Sequence, residues 1–306
     1  MTDPRPLVSI VLPVHNGERF LREALGSCQL QTYPHWELIA VDDCSTDSTP
    51  EILAEVAAAD PRIRVIRNQN HLGLPNSLNT GFASARGAIF TWTSDDNKYL
   101  PTALECMLRT LTEHPNVALV YASQEFIDEG GASVAIHPAA SPETLCCFDI
   151  VNACFAYRRE VWERLGGYDD NYRLVEDWEY WLRIARHYDL LPIQECLYQY
   201  REHPATLTHR HGGARWQLSE RLLTTYLPQL RRKWPRGYVR GFLRLADERW
   251  RHDDRLTAWR FLLRALAGRE FRIALAEWRI LIPLCLGKRT YFTLQARLPW
   301  LRIESL

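Results

Sequence analysis

Val8-Ser9-Ile10-Val11-Leu12-Pro13-Val14-His15-Asn16-Gly17 is the stretch whose reading decides the fold. Its β-branched and apolar residues form a strand that Pro13 stops, and polar residues follow at once. From Glu18 to about Leu30 the period changes: Phe20, Leu21, Ala24, Leu25 and Cys28 fall on one helical face. Trp36 to Val41 reads as a second strand. Ser48-Thr49-Pro50-Glu51 fits a helix start, with Pro near the first position and Glu three after Ser. Ile63 to Ile66 is a third strand, Leu78 to Ala85 a short helix, and Ala88 to Thr93 a fourth strand. Pro101 opens another helix, and Val117 to Tyr121 is a fifth strand. From about 130 to 150 the pattern loosens through Gly130-Gly131 and several small residues, which reads as a loop over the crevice. Strand and helix in alternation predict an α/β fold, a mostly parallel sheet with helices on both faces.

In such sheets ligands collect beyond the carboxyl ends of the strands. The polar clusters stand there: Pro13-Val14-His15-Asn16, Asp42-Asp43, and Ser94-Asp95-Asp96-Asn97. Adjacent carboxylates at a strand end suit Mg²⁺ or Mn²⁺, which take oxygen ligands and keep waters for substrate phosphates. The plain alternative is a solvated Asx turn. Asp42-Asp43 reads as a helix-capping cluster or as an acceptor for the imide N–H of a uracil ring. Glu176-Asp177 opens an aromatic-rich helix, where Asp177 is either an N-cap or a general base. Trp178 and Trp181, one turn apart, either stack on a sugar ring or belong to the core.

The ordered set resembles the family 2 glycosyltransferases of the GT-A fold, over about residues 6 to 210. The matching text begins with Val8–Gly17, then Gln31-Thr32-Tyr33-Pro34, then Glu37 through Asp47. Asn79-Thr80-Gly81, Ala85-Arg86-Gly87, Ser94–Asn97, Glu176-Asp177 and Tyr200-Arg201-Glu202-His203-Pro204 follow in family order. Each motif is common, but together and in order they are specific.

That resemblance implies an inverting transfer of a sugar from a nucleotide-diphosphate donor, a UDP-sugar, to an acceptor hydroxyl in cell-surface polysaccharide or glycoconjugate biosynthesis. Pro13, His15, Asp43, Asp95 and Asp96 would bind the donor, and Asp96 with His203 would hold one Mn²⁺ or Mg²⁺. Asp177 would be the catalytic base, with Glu176, Trp178 and Trp181 on the acceptor side. Ser94 and Asn97 stand where the family's Asp-x-Asp-Asp signature has carboxylates, so the metal site keeps fewer of them. His15 stands where Tyr or Phe is commoner, and Leu78 where many members have Arg. The processive members carry Gln-x-x-Arg-Trp; here Gly212 precedes Arg215-Trp216 in the Gln position, which points to a distributive, single-sugar transfer. A non-catalytic member that binds nucleotide sugars or glycans is the alternative, opposed by the retention of Asp96 and Asp177. A dinucleotide-dependent oxidoreductase would share the alternating pattern but would need a G-x-G-x-x-G after the first strand.

The remainder of the chain differs in character. Lys and Arg balance Asp and Glu at 37 each, but residues 231–306 hold 18 basic against 7 acidic. Residues 1–210 therefore read as the catalytic domain and 211–306 as a basic, Arg- and Trp-rich helical region, with periodic Leu256, Trp259, Leu262, Leu263 and Leu266, then Phe271, Leu275, Trp278, Leu281 and Ile282. Such a region is either a solvated face over a packed stripe or a peripheral contact with anionic lipid, which would suit a lipid-linked acceptor. No nucleic-acid reader motif accompanies the charge. The eight cysteines form no CxxC pair, which suits a reducing compartment. No signal pattern opens the chain and no apolar run approaches the ~18–20 residues of a span, so the expected location is cytoplasmic.

Overall fold

The computed structural model describes residues 5–204 and 212–267. Within them lie two compact units, one running to Pro142 and resuming at Asp149–Leu218, the other made of Glu143–Phe148 and the chain from Ser219.

The first unit begins with β1 (Val8–Val14), α1 (Leu21–Gln29), β2 (Trp36–Asp42), α2 (Thr49–Ala59), β3 (Ile63–Arg67), α3 (Leu74–Ala83) and β4 (Ile89–Trp92). These four strands are mutually parallel in the order β3-β2-β1-β4. Every residue of β1 and β2 is buried, as expected where helices cover both faces of a parallel sheet. The sheet continues with β5 (Lys98–Tyr99), α4 (Ala103–Glu113), β6 (Val117–Ile127), β7 (Ser133–His137), β8 (Phe155–Arg158), α5 (Arg159–Leu165), α6 (Glu176–Ala185) and β9 (Asp189–Arg201). From β4 the order runs on through β8, β6, β9 and β5, with β7 paired to β6. Here antiparallel pairs enter: β8 opposes both β4 and β6, and β5 opposes β9. Parallel pairing returns between β6 and β9, so the sheet is wholly parallel in the half that ends in His15, Asp43 and Asp95 and mixed beyond β4.

Three local expectations change. The α2 cap comes from Asp47, whose Oδ1 accepts from Thr49 N at 3.0 Å, while Ser48 makes no side-chain cap and its own N–H goes to Glu18. Helix α3 starts four residues before Leu78, because Pro75 in its first turn presets the backbone. Residues 130–150, expected as a loose loop, contain β7. Its side chains are exposed on both faces, so no alternation marks it in the sequence.

The second unit contains most of α7 (Gly212–Leu230), with α8 (Pro235–Arg251) and α9 (Arg255–Leu266). Gly237 and Gly241, one turn apart on α8, let Glu143–Phe148 lie directly on the helix. A Cβ at either would come within 2.6 Å of the Glu143 carbonyl or 2.4 Å of the Cys146 carbonyl. Arg249 holds Glu220 bidentately at 2.6 Å, tying α8 to α7. No helix among the described residues is long and apolar enough to cross a membrane.

Candidate functional site

The loops after β1 and β2 form one end of the site. Asp43 is buried, and its carboxylate is fully engaged. Oδ1 accepts from Asn68 Nδ2 at 2.7 Å and Leu72 N at 2.8 Å. Oδ2 accepts from Gly73 N at 2.7 Å and lies 2.9 Å from His71 Nδ1. Burial works against the charge of Asp43, but these donors hold its carboxyl below the usual range. Any ring N–H reaching Asp43 must therefore take the place of the half-exposed His71. His15 Nδ1 donates to the Asp43 carbonyl at 2.8 Å, so that nitrogen carries the proton. The rings of His15 and His71 lie 4.1 Å apart. Pro13 does not stop the strand as expected: it is buried inside β1 and paired with Val41, past the last residue paired with β4, and the strand runs on to Val14 beneath His15. At the loop tips Asn16 (φ 55°) and Cys44 (φ 65°) are left-handed, a conformation that costs Cys more than Asn.

Gly17 connects this end to the carboxylate loop. A Cβ there would fall 1.9 Å from Asp95 Oδ2, so only glycine lets that carboxylate sit against the loop after β1. Asp96 Oδ1 accepts from Ser94 Oγ at 2.6 Å, and Oδ2 lies 3.0 Å from His203 Nε2. Asn97 Oδ1 accepts from Arg201 N at 2.7 Å. Ser94 and Asn97, the two departures from the acidic signature, are thus the groups that shape the loop. Arg201 is 1 % exposed. Its Nε donates to the Asp96 carbonyl at 3.0 Å, one terminal nitrogen to Glu129 O at 2.7 Å and the other to Glu23 Oε2 at 2.8 Å.

Burial and the neighbouring Asp96 charge push Asp95 up to about 7. Two adjacent carboxylates short of positive charge, beside an imidazole, form a donor set that fits a hard divalent cation. No group of three or more ligating side chains occurs among the described residues. Asp96 and His203 would then supply the protein's ligands, with the remaining positions left to phosphate and water.

A second acidic cluster surrounds the start of α6. Asp149 lies beside Asp177, and burial with the Asp177 charge pushes the Asp149 carboxyl well above the usual carboxylate range. Glu176 is buried, and burial with the same Asp177 charge pushes it up to about 8, while Arg215 acts in the opposite sense on both. Glu176 Oε2 has no hydrogen-bond partner among the described residues, as suits a neutral carboxylic acid. Asp177 is partly exposed, and its Oδ1 accepts from Trp178 N at 2.7 Å.

The acceptor-side expectations require correction. Trp178 is 3 % and Trp181 0 % exposed, so neither offers a face to a sugar. Residues one turn apart share a helix side, and here that side is the core: Trp181 packs 4.4 Å from Phe155 and 5.7 Å from Tyr180. Glu176 is likewise enclosed and does not line the surface. Conversely, Asp149, Arg215, His71 and Arg201 did not stand out as site residues. Asp149 lies in a segment without periodicity, and only the fold brings it to Asp177.

The family model Glycosyl transferase family 2 matches residues 9–166, and the chain belongs to that family. The O-antigen biosynthesis protein RfbC of Myxococcus xanthus is 33 % identical over 214 residues, covering 68 % of this chain but 17 % of that protein. The putative teichuronic acid biosynthesis glycosyltransferase TuaG of Bacillus subtilis is 29 % identical, covering 66 % of this chain and 81 % of its own length. Among solved structures, S. aureus TarS 1-349 in complex with UDP-GlcNAc aligns with a TM-score of 0.62 at 13 % identity, covering 90 % of this chain and 91 % of that one. The mannosyltransferase PcManGT of Pyrobaculum calidifontis, in complex with GDP-Man and Mn²⁺, aligns with a TM-score of 0.61 at 22 % identity, covering 97 % and 86 %. The fold is that of the GT-A glycosyltransferases, followed by a helical C-terminal region.

Proposed function

We propose that the chain is an inverting, metal-dependent glycosyltransferase that moves one sugar at a time from a UDP-sugar to an acceptor hydroxyl in cell-surface polysaccharide or glycoconjugate biosynthesis. The observation that carries the reading is the Asp96–His203 pair at a strand end, beside the unneutralised Asp95. RfbC and TuaG are named for polysaccharide biosynthesis, and the TarS and PcManGT structures hold nucleoside-diphosphate sugars, which supports the donor class. Residues 1–210 would carry the chemistry.

His15 and His71 would flank the base, and a uracil imide N–H would replace His71 at Asp43. Asp96 and His203 would hold Mn²⁺ or Mg²⁺, which when bound neutralises charge developing on the leaving diphosphate. Asp177 takes the proton of the acceptor hydroxyl as that oxygen forms its bond to C1 of the donor sugar. The bond from C1 to the phosphate oxygen breaks on the opposite face, and its electron pair leaves with the nucleoside diphosphate. Asp149, beside Asp177, would be a positioning residue that keeps the carboxylate aimed. Transfer is distributive, in keeping with Gly212 at the position of the processive motif's Gln. The acceptor is a glycan or a lipid-linked hydroxyl, and the basic region 211–306 would hold the chain at the cytoplasmic membrane face.

A thermal-shift screen of nucleotide sugars with Mn²⁺, followed by donor turnover with and without acceptor extracts, tests the reading. Stabilisation by a UDP-sugar and turnover abolished by EDTA are expected. Binding without turnover under every condition would leave a non-catalytic member of the family.

A further inference from the structure

Helix α9 carries two apolar faces: one is packed within the second unit, and the other is exposed apart from an edge contact of Trp259 with Trp250 of α8, ring centroids 6.2 Å apart. Ala258, Phe261, Leu262 and Ala265 are buried. The Phe261 ring lies 6.0 Å from Phe242 of α8, and the Tyr238 hydroxyl donates to the Arg264 carbonyl at 3.2 Å. On the far side Leu256 is 66 %, Trp259 45 % and Leu263 62 % exposed. At 100° per residue these three fall within about 60° of arc, well away from the buried face. The periodic run Leu256, Trp259, Leu262, Leu263 read from the sequence is therefore split: Leu262 packs inward and the other three face out.

Arginines border the exposed stripe on both sides. By the same helical spacing Arg260 and Arg264 follow one margin and Arg255 the other. Residues 219–267 as a whole hold 12 Lys and Arg against 5 Asp and Glu. A short apolar ridge with Trp at its centre and guanidinium groups along its margins is the pattern of a helix lying in a membrane interface. Pairing with a second copy through the same ridge would set Arg margins against Arg margins, which costs free energy. An anionic leaflet matches both the ridge and its rim.

We propose that the outward face of α9 is a membrane-docking surface, with Leu256, Trp259 and Leu263 entering the acyl boundary and Arg255, Arg260 and Arg264 engaging anionic phosphate headgroups. This deepens the peripheral-contact part of the functional reading and is separable from its donor chemistry. Residues 268–306, including Trp278 and Ile282, lie outside the described residues and take no part in the argument.

Flotation of the full chain with vesicles of phosphatidylglycerol and phosphatidylcholine, against phosphatidylcholine alone, tests it at low and high salt. The wild type should float with the anionic vesicles, and less so at high salt. L256S/W259S/L263S and R255Q/R260Q/R264Q should each lower the bound fraction about tenfold or more. None of the six is a donor- or acceptor-site residue, so hydrolysis of free donor in vesicle-free solution should stay unchanged. Loss of donor hydrolysis in the wild type would count against the transferase reading and leave flotation to decide the docking one. Equal flotation of wild type and the serine variant, or none by the wild type, would overturn the proposal. So would a wild-type dimer that the serine variant converts to a monomer.

Discussion

His203 Nε2 lies 3.0 Å from Asp96 Oδ2, bringing the segment after β9 onto the carboxylate loop after β4. If the pair holds the cation, D96A and H203A should each weaken Mn²⁺-dependent UDP binding by about tenfold or more. Calorimetric titration with and without Mn²⁺ reads this directly. A D96A protein with unchanged metal-dependent affinity would remove the assignment.

Asp177 is expected to act on the acceptor and not on the donor. D177N keeps the size of the side chain and loses its basicity, so UDP-sugar binding should persist while turnover falls ~10²–10⁴-fold. D149N, whose amide can still donate to Asp177, should keep far more activity than D149L. Separate kcat and KM values for the three variants distinguish a base from a helix cap: turnover of D177N near the wild-type rate would reduce Asp177 to the latter.

Glu176 makes stability depend on pH. Its carboxyl, ordinarily near 4.5, titrates at about 8 in the folded protein. Between those values the folded state holds a proton that the unfolded chain has released. The contribution is therefore complete below about 4.5 and is lost as pH rises through 8, a change on the order of a few kcal/mol. Asp149 shifts in the same direction. E176Q should flatten the decline between pH 5 and pH 9 in urea-unfolding curves. Parallel wild-type and variant profiles would show that no proton is held there.

Trp181 tests the boundary between core and acceptor site. W181A should lose ~3–5 kcal/mol of stability, the usual cost of deleting a fully buried aromatic. W181F should fold with acceptor KM unchanged. A selective rise in acceptor KM in the phenylalanine variant would restore the sugar-stacking role.

Much of the first half was legible because β1, β2 and β4 are short, fully buried runs followed by polar residues. The Asp pairs after Val41 and Ser94 announce strand ends without any knowledge of pairing, whereas Pro13 misleads, since β1 runs through it to Val14. The second half was legible in its motifs but not in its architecture. Ser133–His137 pairs with β6 while fully exposed, so its partner and not its pattern makes it a strand. Glu176 and Asp177 are adjacent in sequence, yet burial makes one a neutral acid and leaves the other open. Trp178 and Trp181 have helical spacing, which identifies a shared side and says nothing about whether that side meets solvent. Asp149 gave no signal at all, because a contact across 28 positions of chain is a property of the fold.

The buried guanidinium of Arg201 decides what kind of structure the turn between β6 and β7 is. It draws on the Glu129 carbonyl in that turn, on the Asp96 carbonyl and on the Glu23 carboxylate, and its plane lies 4.3 Å from the Phe20 ring. Swinging the turn outward would strip an enclosed cation of an acceptor it cannot replace, at a cost of several kcal/mol. The turn that leads into the stretch read in sequence as a loose cover is therefore masonry. It is a fixed wall beside the carboxylate loop, and a donor must enter past it without its giving way.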